Sequence, residues 1–240
     1  MTAPGSATGP GNAANGLSRD QMAWRVAQAI PDGATVNLGI GMPERVANHM
    51  VPDRQIIFHS ENGILGMGPE AAAGEEDFDL TTAGKKPVTV IPGAAFFDSA
   101  DSFAMIRGGH IDIAVLGAFQ VSQTGDLANW SMDKTGGEKG VIPAVGGAMD
   151  LAQGARRVFV ITGHTTRDGV PKIVRECTYP LTGAGVVTAI YTNLAVIGVT
   201  RDGLIVREML ERLSFDDLQA RTGAKLTLDP GCKPLSAPAF

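Results

Sequence analysis

Glu61 lies in the run Ile56-Ile57-Phe58-His59-Ser60-Glu61-Asn62-Gly63. The three apolar residues carry a buried-strand pattern, and Asn-Gly breaks it, because both residues tolerate positive φ. The glutamate is thereby set where an interior strand opens into a glycine-rich loop, Ile64-Leu65-Gly66-Met67-Gly68-Pro69. In open α/β sheets that edge is where reacting side chains are presented. A glutamate carboxylate is ordinarily ionised near neutral pH, so it attacks without the base that a serine requires. Its modest reactivity suits activated acyl groups such as thioesters. The plainer reading of a glutamate beside Asn-Gly is a turn cap.

Two glycine pairs could serve the same chemistry. Gly39-Ile40-Gly41-Met42-Pro43 sits between a strand and a helix, which fits a phosphate cradle and equally a tight turn. Gly146 and Gly147 enter a helix at Val145-Gly146-Gly147-Ala148-Met149-Asp150-Leu151. Glycine there permits close backbone approach, and a first helical turn has free N–H groups. Close helix–strand packing is the alternative. Arg107 and Lys172 could meet a substrate carboxylate or lie on the surface. His49, His59, His110 and His164 are scattered, and His110 and His164 read as hydrogen-bonded structural residues. The sequence has no metal spacing, Ser-His-Asp arrangement or Walker loop.

The elements that must position these residues follow from periodicity. Leu17–Ile30 is a helix with a capping box at Ser18 and Gln21 and an apolar face of Met22, Val26, Ala29 and Ile30. Strands are expected over 34–38, 88–91, 111–116, 156–162, 186–190, 194–200, 204–207 and 224–228, and short helices over 99–106 and from Ser214. Thr200-Arg201-Asp202-Gly203 is a hairpin turn, so one side of the sheet is antiparallel. The expected class is α/β: an open, mixed, mainly parallel sheet with helices on both faces. Residues 1–16 read as a disordered extension, 17–228 as one domain, and 229–240 as a flexible tail. The glycine-rich loop 133–140 reads as mobile.

Composition narrows the function classes. The 240 residues are enough for one large domain with a full core. A net charge of −5 argues against a nucleic-acid partner, which would need a basic face. Cys177 and Cys232 form no disulfide framework, and a cytoplasmic location is expected. No apolar run is long enough to span a membrane.

The run Ser60-Glu61-Asn62-Gly63-Ile64-Leu65-Gly66 resembles the glutamate signature of family I coenzyme A transferases, in the β subunit of the 3-oxoacid type. The resemblance continues through Gly39-Ile40-Gly41-Met42-Pro43 and Asp101-Ser102-Phe103-Ala104-Met105-Ile106-Arg107-Gly108-Gly109-His110. It extends to Gly125-Asp126-Leu127-Ala128-Asn129-Trp130 and Gly146-Gly147-Ala148-Met149-Asp150-Leu151, and covers roughly residues 17 to 228. Loop 133–140 departs from the family in sequence and length.

The resemblance implies ping-pong transfer through a glutamyl-CoA thioester on Glu61, with Gly146 and Gly147 as oxyanion donors. It places Gly39 and Gly41 near coenzyme A. Read from the residues themselves, Gln120 follows an interior strand and could hydrogen-bond the substrate or the Glu61 carbonyl, and Asn62 and Asn129 are weaker substrate-binding candidates of the same kind. The resemblance implies no resident cofactor, since coenzyme A is a substrate and transient adduct. A separate α subunit is the implied partner, in a hetero-oligomer expected to be a heterotetramer. Succinyl-CoA and 3-oxoadipate are the expected substrates, with acetoacetate as the alternative acceptor. A non-catalytic subunit or sugar-phosphate isomerase of similar fold is a remoter alternative.

Overall fold

The computed structural model describes residues 16–132 and 145–240. The extension expected over 1–16, apart from Gly16, and the loop over 133–140 lie outside the described residues.

In chain order the elements are α1 (Arg19–Ala29), β1 (Thr35–Leu38), a 3₁₀ helix (Pro43–His49), β2 (Ile57–Ser60), β3 (Ile64–Glu70) and β4 (Val88–Phe96). Then come α2 (Ser99–Arg107), β5 (Ile113–Leu116), β6 (Gln120–Ser122), β7 (Leu127–Ala128), α3 (Ala148–Gly154) and β8 (Arg157–Ile161). The chain ends with β9 (Ile173–Val174), β10 (Val187–Tyr191), β11 (Ala195–Thr200), β12 (Gly203–Met209), α4 (Phe215–Ala220) and β13 (Leu226–Pro234).

Ten strands form one sheet in the order β13-β12-β11-β10-β8-β5-β1-β2-β3-β4. Its centre, from β2 through β1, β5 and β8 to β10, is parallel. Antiparallel hairpins flank that centre on both sides. A separate small sheet, β7-β6-β9, adds Val121, Leu127 and Ile173 to a core shared with the large sheet. The expected mixed α/β architecture is therefore present.

Strand alternation sends side chains to two cores, because successive residues of a strand point to opposite faces. Ile113, Val115, Phe159 and Ile161 join one core with Met22, Val26 and Ile30 of the first helical segment. Ala114, Leu116, Val158 and Val160 join the other with Ile106, Leu151 and Leu218 from α2, α3 and α4. Both faces of the central strands are thus covered, which is why those strands read as continuous apolar runs. The capping box of α1 is formed as read, with Ser18 Oγ accepting from Gln21 N–H and the Gln21 side chain accepting from Ser18 N–H.

Three expectations need correction. The glycine-rich run after Glu61 is not a loop but strand β3, paired antiparallel with β2. The helix after Gly41 is a 3₁₀ helix, Pro43–His49. The tail expected to be flexible over 229–240 is ordered as far as Pro234 in β13, and Leu235 is buried. Strand β13 lies at the sheet edge beside β12, where a proline removes no ladder hydrogen bond to a further strand. Its register shifts between Leu228 and Lys233, which accommodates the Pro230-Gly231 kink.

Candidate active site

Glu61 is the first residue beyond β2, at the C-terminal edge of the parallel strands. Glu61-Asn62-Gly63 is the turn that joins β2 to β3. The turn closes through Gly63 N–H to Ser60 O at 2.9 Å and is fastened to the next segment by Phe97 N–H to Gly63 O at 3.1 Å. Gly63 has φ +113°, and a Cβ there would lie 2.0 Å from Phe97 O, so only glycine fits. Asn62 donates its amide to Thr81 O at 2.8 Å, and Ser60 Oγ accepts from Ala83 N–H at 3.2 Å. The nucleophile candidate is therefore carried on a rigid turn.

Beneath it lies a buried polar chain. Asn37, in β1, is fully buried and donates Nδ2–H to Glu61 Oε2 at 3.2 Å. The same nitrogen lies 3.0 Å from His59 Nδ1 and 3.3 Å from His59 O. Because a carboxylate only accepts, the amide nitrogen must face it, and His59 Nδ1 must then accept as well. The ring proton is consequently on Nε2, 2.9 Å from Ser102 Oγ on α2. Burial pushes the His59 pKa down to about 4, which keeps the ring neutral near pH 7. Asn37 Oδ1 is buried with no partner among the described residues.

Glu61 opens on a cavity of about 400 Å³. Gly39, Glu61, Gly117 and Thr162 line it, and each directly follows β1, β2, β5 or β8. That is the crevice at the carboxyl ends of parallel strands where open α/β sheets place ligands. Gly146 and Gly147 form another wall. A Cβ on Gly147 would lie 2.8 Å from Phe103 Cζ and 3.9 Å from Glu61 Cγ, so the lack of a side chain lets α3 approach the carboxylate. Gly146 has φ +57°. Neither Gly146 N–H nor Gly147 N–H finds an acceptor among the described residues.

The other expected residues divide. Asn129 lines the cavity, but its amide is committed to Gly117 O at 3.1 Å and to the Thr182 hydroxyl at 2.6 Å. Gln120, Asn62 and Gly41 are not in the cavity wall. Gln120 accepts from Thr178 N–H at 2.8 Å, and Gly41 N–H donates to Glu44 Oε2 at 2.9 Å. Lys172 is in the wall, half-buried, with its ammonium on Thr162 Oγ1. Arg107 is instead exposed and paired with Asp150 at 2.7 Å. His164 is the structural residue expected, held by the Thr192 and Thr222 hydroxyls. The sequence alone gives no role to Asn37, His59, Ser102 or Thr162. The available signal is Asn37 itself, one amide inside the apolar strand Ala34-Thr35-Val36-Asn37-Leu38. No cluster of residues suited to a metal occurs among the described residues, and none of their helices is long and apolar enough to cross a membrane.

A carboxylate fixed by an amide, facing a cavity walled by glycine backbone, is suited to acyl transfer. Residues 19–220 match the coenzyme A transferase family, and the chain belongs to it. The chain is 60% identical over 210 residues to a 3-oxoadipate CoA-transferase subunit of Pseudomonas putida, covering 88% of this chain and 96% of that protein. It is 48% identical over 207 residues to a succinyl-CoA:3-ketoacid coenzyme A transferase subunit of Helicobacter pylori, covering 86% and 97%. The fold agrees. An acyl-CoA transferase from Escherichia coli O157:H7 superposes with a TM-score of 0.69 at 19% identity, over 91% of this chain and 43% of that one. Glutaconate coenzyme A-transferase from Acidaminococcus fermentans gives 0.67 at 17% identity, over 94% and 91%.

Proposed function

We propose that the chain is the glutamate-bearing β subunit of a transferase that moves coenzyme A from succinyl-CoA to 3-oxoadipate, working with a separate α subunit. The observation that carries this is the Glu61 carboxylate, held by Asn37 at the edge of a glycine-walled cavity. The 60% identity to a 3-oxoadipate CoA-transferase subunit, against 48% to a succinyl-CoA:3-ketoacid transferase subunit, favours 3-oxoadipate over acetoacetate.

The mechanism conserves the thioester. Glu61 attacks the acyl carbonyl, and the sulfur–carbon bond breaks to give an acyl-glutamyl anhydride and CoA thiolate. The thiolate attacks the glutamyl carbonyl of the anhydride, releasing the donor acid as its carboxylate and leaving a glutamyl-CoA thioester. The acceptor acid runs the same two exchanges in reverse. Each exchange builds an oxyanion, and the Gly146 and Gly147 N–H groups in the cavity wall are the donors assigned to receive it. Losing such a donor raises a barrier by about 3–4 kcal/mol.

The thioester leaves a chemical signature. An activated Glu61 side chain lies within five-membered-ring closure of its own backbone nitrogen, so intramolecular attack is favoured. Heating acyl-CoA-loaded, denatured protein should therefore cut the Ser60–Glu61 bond and leave the larger fragment with a pyroglutamyl start. Glu61→Gln should neither load nor fragment. Cleavage without acyl-CoA, or an adduct on another residue, would remove Glu61 from the mechanism. Equal or better kcat/KM for acetoacetate would reassign the acceptor.

A further inference from the structure

We infer that Lys172 receives the second carboxylate of dicarboxylic acyl groups, which makes the cavity selective for succinyl and 3-oxoadipyl chains over monocarboxylic ones. This rests on the proposed transfer at Glu61 and assigns the far end of the same site.

The Lys172 backbone is fixed on both sides. Its N–H donates to His164 O at 3.1 Å, and its carbonyl accepts from Val121 N–H at 2.9 Å. The side chain reaches the cavity wall, where the ammonium donates to Thr162 Oγ1. Thr162 in turn donates its own proton to Ala118 O at 3.0 Å, so its oxygen is oriented to accept from the lysine. An ammonium has three protons, and this uses one.

Among the described residues nothing compensates the remaining charge. No carboxylate among the described residues pairs with Lys172, whereas Lys86 has Glu44 and Arg107 has Asp150. The described wall holds only two ionisable side chains, Glu61 and Lys172. The same cavity wall therefore offers a carboxylate after β2 and, beside Thr162 after β8, a cation. Desolvation by burial lowers the Lys172 pKa, which is the cost of a charged amine awaiting an anion. An acyl chain with a carboxylate at its far end supplies that anion, while a methyl-ended chain leaves the ammonium facing hydrocarbon. The proposed donor and acceptor are both dicarboxylic, so each brings an anion for Lys172, with 3-oxoadipyl the longer by two carbons.

The test uses the chain co-expressed with its α partner, as wild type, Lys172→Met and Lys172→Arg. Single-turnover formation of the protein–CoA thioester is measured from succinyl-CoA and from acetoacetyl-CoA. Lys172→Met should lose on the order of 10²-fold in kcat/KM with succinyl-CoA, the scale of one charge-assisted hydrogen bond, and only a few-fold with acetoacetyl-CoA. Lys172→Arg should recover part of the loss for succinyl-CoA alone. Equal losses with both donors, or none with either, would overturn the assignment. If no thioester forms in the wild type, the Glu61 mechanism fails instead, and calorimetry still decides the role of Lys172. Succinate should bind more tightly than butyrate to the wild type, and Lys172→Met should erase that difference. Equal binding of the two acids by the wild type would end the proposal.

Discussion

Asn37 holds the carboxylate through a single donor nitrogen, so its substitutions separate position from charge. Asn37→Ala leaves Glu61 without its amide and His59 Nδ1 without a donor. Loss of a hydrogen bond to a charged group typically costs about 1.5–3 kcal/mol, so a kcat loss of roughly 10- to 100-fold is expected. Asn37→Asp should lose more, because a second carboxylate would face the first, and its rate should recover as acid protonates one of the pair. A loss equal to that of Asn37→Ala, with the same pH profile, would show that the missing donor and not the added charge sets the rate. The histidines make a separate prediction about stability. Burial pushes His59 and, with a smaller contribution from Arg221, His164 down to about 4, against about 6.5 in an unfolded chain. Between those values the unfolded chain binds more protons, so stability is fully present above the window and falls as pH drops through it. Each ring contributes on the order of 3 kcal/mol. Urea midpoints should decline from pH 7 to pH 4.5, and His164→Gln should flatten the slope; an unchanged midpoint would mean the rings charge freely inside the fold. Asn-Gly places Glu61 at a strand end in the sequence, but it is the family signature, not the turn, that singles it out as the candidate nucleophile. The chain beneath it is not legible there, since Asn37, His59 and Ser102 are distant in sequence and meet only through β1–β2 pairing and the packing of α2.

The hairpin of β2 and β3 is the element that aims the Glu61 carboxylate, the proposed nucleophile, and glycine decides its shape. Gly63→Ala should be among the most damaging single changes in the chain, because the new methyl would overlap Phe97 O at 2.0 Å in a backbone conformation that L residues rarely adopt. Gly146→Ala provides the contrast. Among the described residues its Cβ would meet nothing within 4 Å, so the strain expected is that of the left-handed φ of +57°, worth about 1–2 kcal/mol. Gly147→Ala lies between them, since Phe103 must swing away from a contact of 2.8 Å. Thermal midpoints and kcat should rank the three variants in that order of severity: 63, then 147, then 146. If Gly146→Ala proves worst for kcat while the fold is intact, its N–H geometry outweighs the space at Gly147. Element reading succeeded where apolar runs were long, as in β5, β8 and β11. It failed at β3 and over the second half of β13, beyond Leu228, because Gly66, Gly68, Pro69, Pro230, Gly231 and Pro234 carry loop chemistry in isolation. Both strands take their conformation from a neighbour: β3 bulges against β4, and β13 rides the edge of β12. Tertiary pairing overrides local preference there.

At the scale of the molecule, the cavity mouth has the character of an interface. Ile40 is 64% exposed and Phe96 60% exposed, and both border the Glu61 turn. Ile40 lines the cavity, and Phe96 pairs in register with Ile64 on the edge strand β4. Large apolar side chains exposed around a reacting carboxylate fit a surface that a partner covers, and deep ligand sites commonly form at such junctions. The proposed α subunit is that partner. The isolated chain should therefore turn over no substrate, while co-expression should restore transfer. Phe96→Asp sharpens the prediction. The ring is mostly in solvent, so a charge should change the stability of the isolated chain, read by urea unfolding, by no more than about 0.5 kcal/mol. Burying the same carboxylate unpaired in an interface is costly, so affinity for the α subunit should fall at least roughly tenfold, the equivalent of about 1.4 kcal/mol. Saturating α subunit should then rescue kcat, because Phe96 touches no reacting atom in this scheme. Wild-type affinity in Phe96→Asp would place the interface elsewhere, and turnover by the isolated chain at the rate of the complex would remove the α subunit from the catalytic unit.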